Sequence, residues 1–70
     1  MREPDLTAPQ WGTIAAIVRD ERENLAQLRP MQAVEAVRGL YCSREGIEFP
    51  PRWFSERAVA TILRAQGLLP

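Results

Sequence analysis

The sequence predicts an all-α fold, a small three-helix bundle made of a helical hairpin and a third helix after a Pro-Pro elbow. Three observations carry this. Apolar residues recur at steps of three and four in three separate stretches. Each stretch carries capping or stop residues at its ends. The one extended stretch, Glu48 to Phe54, has no second strand candidate to pair with, so a sheet is not expected.

The first helix is expected over residues 8–28. Thr7 is a good N-cap, and Gln10 three residues on completes a capping box. Leu6 and Trp11 have the spacing of a hydrophobic staple, and Pro9 lies in the first turn, where its missing N–H costs nothing. Trp11, Ile14, Val18, Leu25 and Leu28 form the apolar stripe, with Glu21 as an interrupting position and Ala15 and Ile17 widening it. This stripe is the expected core face and part of the expected dimer interface. The polar run Arg19 to Asn24 admits two readings, a break between two helices or one continuous helix. The preserved apolar phase on its far side favours one helix, at the cost of Glu21 on the apolar face.

The second helix is expected over 30–45. Pro30 suits its first turn and disfavours helical geometry at Arg29, which predicts a tight reversal and an antiparallel hairpin. Met31, Val34, Val37 and Tyr41 share one face, with Ala33 and Leu40 beside it. Gly39 inside this pattern is expected to permit a close backbone approach, against Gly12 or Ala16, or else to weaken the helix by about 1 kcal/mol. Gly46 is placed as the left-handed stop, with Ile47 folding back on Cys42.

The third helix is expected over 56–66. Ser55 is its N-cap, Phe54 and Val59 a second staple, and Ala58, Val59, Ile62 and Leu63 its buried stripe. Gly67 stops it, and Leu68 returns to Leu63. Residues 1–6 read as a flexible lead-in to a single domain spanning 1–70.

Composition narrows the function classes. A chain of seventy residues buries only about 60% of its unfolded surface, so packing efficiency or association must supply stability. With 46% hydrophobic residues, two Trp and two Phe, self-association as a two-fold dimer is expected. Cys42 is the lone cysteine, which suits a reducing compartment; it is expected as a small buried hydrophobe rather than a reactive thiol. The N-terminal residues lack the layout of a signal peptide, and no apolar run approaches transmembrane length. A soluble, cytoplasmic protein without membrane contact is expected.

No catalytic, metal-binding or cofactor-binding motif is present. The chain has no histidine, so imidazole bases, Ser–His and Cys–His pairs and histidine metal ligands are absent. Asp20, Glu21 and Glu23 are interleaved with Arg19 and Arg22, as on a solvated helix face. The glycines are scattered singly and form no phosphate-cradling loop. No enzyme and no cofactor is expected.

Binding is the remaining class. All nine basic residues are Arg, which reflects either base composition or a preference for bidentate contacts. The formal net charge is zero, which argues against broad attraction to nucleic acid. Arg57 and Arg64 lie two helical turns apart on one face, with Arg52 near its N-terminal end. The first reading is a regulator or adaptor that binds another protein, as a homodimer, through Arg52, Trp53, Arg57 and Arg64. Trp and Arg are enriched among interface hot spots, and a proline-stiffened loop loses little entropy on binding. On the opposing reading Phe49, Trp53 and Phe54 all fill the core beneath the elbow. The second functional reading is DNA binding, since Ser55 to Leu69 resembles the recognition helix of helix-turn-helix regulators. Against it, the connection from Gly46 to Phe54 is far longer than the roughly three or four residues of such a turn.

Overall fold

A computed structural model describes residues 6–69 as four α-helices packed against one another, with no strand among the described residues. They are α1 (Ala8–Asp20), α2 (Arg22–Ala26), α3 (Pro30–Glu45) and α4 (Glu56–Ala65). The bundle measures 28 × 25 × 18 Å. Apart from Leu6, which packs on the core, the expected lead-in lies outside the described residues.

The continuous first helix is corrected to two. The break falls at Glu21, whose φ of −107° and ψ of 17° leave the helical basin. The hydrogen-bond ladder bridges the bend: the Glu21 N–H donates to Ile17 (3.0 Å), and the Leu25 N–H donates to Glu21 (2.9 Å). The physical reason lies in the side chains. A straight helix would press the Glu21 carboxylate into the apolar stripe, where an unpaired charge is costly. The bend leaves Glu21 half-exposed and still buries Leu25.

The buried stripe is shorter than the expected one. Ile14, Ile17, Val18 and Leu25 are buried, whereas Trp11 is 37% exposed and Leu28 39%. Leu28 follows the end of α2 and lies in the turn, where helical phase no longer orients it. The chain reverses over residues 27–29, and α3 returns far enough for Arg44 in its last turn to meet Asp20 (3.7 Å).

The helix ends follow their capping chemistry. The Thr7–Gln10 box closes α1 with bonds of 3.0 and 3.2 Å. At α3, Gln32 accepts from the Arg29 N–H (3.1 Å); the reciprocal bond cannot form, because an arginine side chain has no acceptor. Ser55 Oγ accepts from the Ala58 N–H (3.1 Å). Gly46 and Gly67 take φ of 66° and 76°, the left-handed geometry that glycine adopts without penalty. Ile47 and Leu68 then donate to Cys42 and Leu63.

The core joins Ile14, Ile17 and Val18 of α1, Leu25 of α2, Ala33, Val34 and Val37 of α3, and Phe54, Ala58, Val59, Ile62 and Leu63 around α4. Helix α4 packs against both α1 and α3 and is the element they share. Two expectations for α3 are corrected. Met31 is 60% exposed, because it sits in the first turn, beyond the end of the core. Gly39 makes no close approach: a methyl group there would meet nothing within 4 Å.

Candidate functional site

The elbow, residues 46–55, joins α3 to α4; of the four expected partner-binding residues, Arg52 and Trp53 lie in it, Arg57 in the first turn of α4, and Arg64 in the last turn of α4. Its second half is anchored by the core. The Phe54 N–H donates to Pro51 (3.0 Å), closing a turn that drives the Phe54 ring inward. Phe54 is fully buried and stacks on Tyr41 of α3, with ring centroids 4.3 Å apart and planes at 22°. Trp53 packs edge-on against both rings, at 5.4 Å from Phe54 and 5.6 Å from Tyr41. Trp53 is therefore half-buried, one wall of an aromatic cluster rather than a free anchor.

One cation secures this cluster. Arg38 of α3 donates from Nε to the Phe54 carbonyl oxygen (3.2 Å) and faces Glu35 and Glu56 at 3.9 and 3.8 Å. It ties the middle of α3 to both the elbow and the first turn of α4. No local pattern in the sequence marks Arg38 for this role. It stands one position from the stripe residue Val37, and only the fold brings Phe54 to it.

The first half of the elbow differs. Phe49 is 75% exposed and Ile47 40%, while Pro50 and Pro51 are half-buried and hold the backbone between them and the anchored turn. The exposed aromatic of the elbow is thus Phe49. The sequence signal was the staple: Phe54 stands directly before the Ser55 cap, so it is the inward ring, and no periodic element ties Phe49 to the core. Arg52 is exposed beside this segment.

Arg57 and Arg64 are exposed on α4, on the side opposite its buried stripe. Thr61 lies between them and turns its hydroxyl back onto the Arg57 carbonyl oxygen (2.8 Å). The structure therefore gathers Arg52, Phe49 and Ile47 on the elbow, sets Arg57 and Arg64 along α4, and withdraws Trp53 into the fold. From the first-helix stripe, Ile14, Val18 and Leu25 face this chain's own core; Trp11 and Leu28 remain at the surface.

A shallow open hollow beside the α1–α2 break is lined by Arg19 through Asn24. Several of its groups serve the fold. Asp20 pairs with Arg44, Arg22 donates to the Gln66 carbonyl oxygen (2.8 Å), and Asn24 donates to Glu21 (3.4 Å). Cys42 is a half-buried free thiol. Among the described residues, no three His, Cys, Asp or Glu side chains group to hold a metal ion, and no helix is long and apolar enough to cross a membrane. Compared with family models, with curated proteins and with solved structures, the chain matches none.

Proposed function

We propose that this chain is a small non-enzymatic regulator or adaptor that acts by binding another protein and works as a homodimer in the cytoplasm. One observation carries the reading. Large apolar side chains are exposed at opposite ends of α3: Met31 with Leu28 before it, and Phe49 with Ile47 after it. A helix of 16 residues separates them by about 24 Å. Of the five large apolar side chains exposed among the described residues, four fall at these two places and the fifth, Trp11, on α1; two such clusters suit a molecule that meets two partners, one of them itself. Arg52 and Arg57 border the elbow, and Arg64 stands farther along α4, cations of the kind enriched at interface hot spots. The lone Cys42 suits the reducing compartment.

DNA binding through α4 has weaker support. That helix is held on two sides by α1 and α3, which leaves a short face whose outward cations are Arg57 and Arg64. Affinity for a duplex grows with the number of phosphates neutralised, and two arginines provide little of it.

The test is capture from an extract of the source organism on immobilised protein, beside the Met31→Glu and Phe49→Glu variants. Both positions are exposed, so neither substitution opens the core, and circular dichroism checks that each variant is folded. A retained protein lost with either variant supports the reading. Identical retention by all three proteins, or none by any, removes it.

A further inference from the structure

We infer that the elbow is a self-recognition surface, at which two copies of this chain meet about a two-fold axis passing close to Phe49. The inference rests on the protein-binding reading above and assigns the occupant of one of its two surfaces.

The order of charges along the elbow selects this partner. Glu45 and Glu48 precede Phe49, and Arg52 and Arg57 follow it; all four are exposed. Among the described residues none of the four has an ion-pair partner, whereas neighbouring Glu56 faces Arg38 (3.8 Å) and Arg44 faces Asp20 (3.7 Å). The free charges of the elbow are therefore acidic on one side of an exposed aromatic and basic on the other. An acidic partner would press against Glu48, and a basic one against Arg52. A second copy satisfies both sides. A two-fold axis reverses chain direction across the contact, so Glu48 faces the partner's Arg52 while Arg52 faces the partner's Glu48. Phe49 then packs on the partner's Phe49, and the two prolines keep the ordering entropy small.

The contact is small. Stable interfaces bury about 800 Å² per partner, and a segment from Glu45 to Arg52 supplies less. A weak dimer follows, with a dissociation constant above about 1 μM.

Sedimentation equilibrium on the purified chain, from micromolar to millimolar concentration, tests this. The expected result is a monomer–dimer equilibrium that Phe49→Ala weakens by about tenfold or more, as burial of one aromatic ring implies. Glu48→Arg and Arg52→Glu each place like charges across the axis and weaken it comparably. The double variant Glu48→Arg/Arg52→Glu restores it, and mixing the two single variants yields a mixed dimer. All these positions are exposed, and an unchanged melting midpoint confirms that each variant is folded. A chain that stays monomeric at millimolar concentration overturns the inference, as does a dimer indifferent to the charge reversals. A monomer that still captures another protein through Phe49 overturns self-recognition alone and leaves the protein-binding reading standing.

Discussion

Arg38 donates its Nε hydrogen to the backbone carbonyl oxygen of Phe54 across 3.2 Å, joining the middle of α3 to the residue that plugs the elbow into the core. The bond is partly buried and charge-assisted, and such bonds contribute about 1.5–3 kcal/mol. The ion pairs around it are long, at 3.8 and 3.9 Å, and their carboxylates are well exposed, so they contribute little. Arg38→Ala should lower the urea midpoint by the equivalent of about 2 kcal/mol. Glu35→Gln and Glu56→Gln should each cost less than about 0.5 kcal/mol. Equal losses for all three would show that the ion pairs, not the carbonyl bond, hold the elbow.

The three aromatics of the elbow should separate cleanly by stability. Phe54 is fully buried, so Phe54→Ala should cost about 3–5 kcal/mol, enough to unfold a marginal domain of this size. Trp53 loses one packed face, and Trp53→Ala should cost about 1–2 kcal/mol. Phe49→Ser should leave the melting midpoint unchanged, because that ring faces solvent. Thermal unfolding followed by circular dichroism ranks the three, and a destabilised Phe49→Ser protein would place that ring in the fold.

Gly39 and Gly46 lie seven residues apart and should respond to alanine with opposite signs. At Gly39 an added methyl group meets nothing within 4 Å in regular helix, so Gly39→Ala should stabilise by about 0.5–1 kcal/mol. At Gly46 there is equal space, but φ is 66°, where a Cβ is strained; Gly46→Ala should destabilise by about 1 kcal/mol. Denaturant midpoints at unchanged m-value decide both.

These positions also show how much of the fold could be read from the chain. Caps and stops were legible because their chemistry is local: Thr7 with Gln10, Ser55, Gly46 and Gly67 each act on backbone within a few residues. The bend at Glu21 was legible as a conflict between helical phase and a carboxylate on the apolar face. Its resolution depended on the rest of the core, which accepts Leu25 after a bend but offers Glu21 no buried partner. Phe54 was legible as the inward ring from its place before the Ser55 cap, but the half-burial of Trp53 was not, since nothing local distinguishes it from the exposed Phe49. The Tyr41 ring that receives one of them comes from another helix. Arg38 and Arg22 are long-range in the same sense, their backbone acceptors being 16 and 44 positions away.

Arg22 supplies the last prediction. Its Nη1 donates to the carbonyl oxygen of Gln66, the C-cap of α4, at 2.8 Å. Carbonyls at a helix C-terminus lack intrahelical donors and carry the negative end of the helix dipole, so a guanidinium there supplies both a hydrogen bond and favourable charge. The link also fastens the short helix α2, which five residues could not stabilise alone, to the end of the element at the centre of the bundle. Arg22→Ala should therefore cost about 1 kcal/mol in global stability. The loss should be larger locally: amide exchange at Gly67 and Leu68, and at Leu25 in α2, should accelerate more than in the middle of α3. Arg19→Ala is the control, since Arg19 is an exposed cation three residues away on α1 with no part in that link. Uniform acceleration across all helices in Arg22→Ala would mean that the residue supports the bundle as a whole rather than the α2–α4 junction.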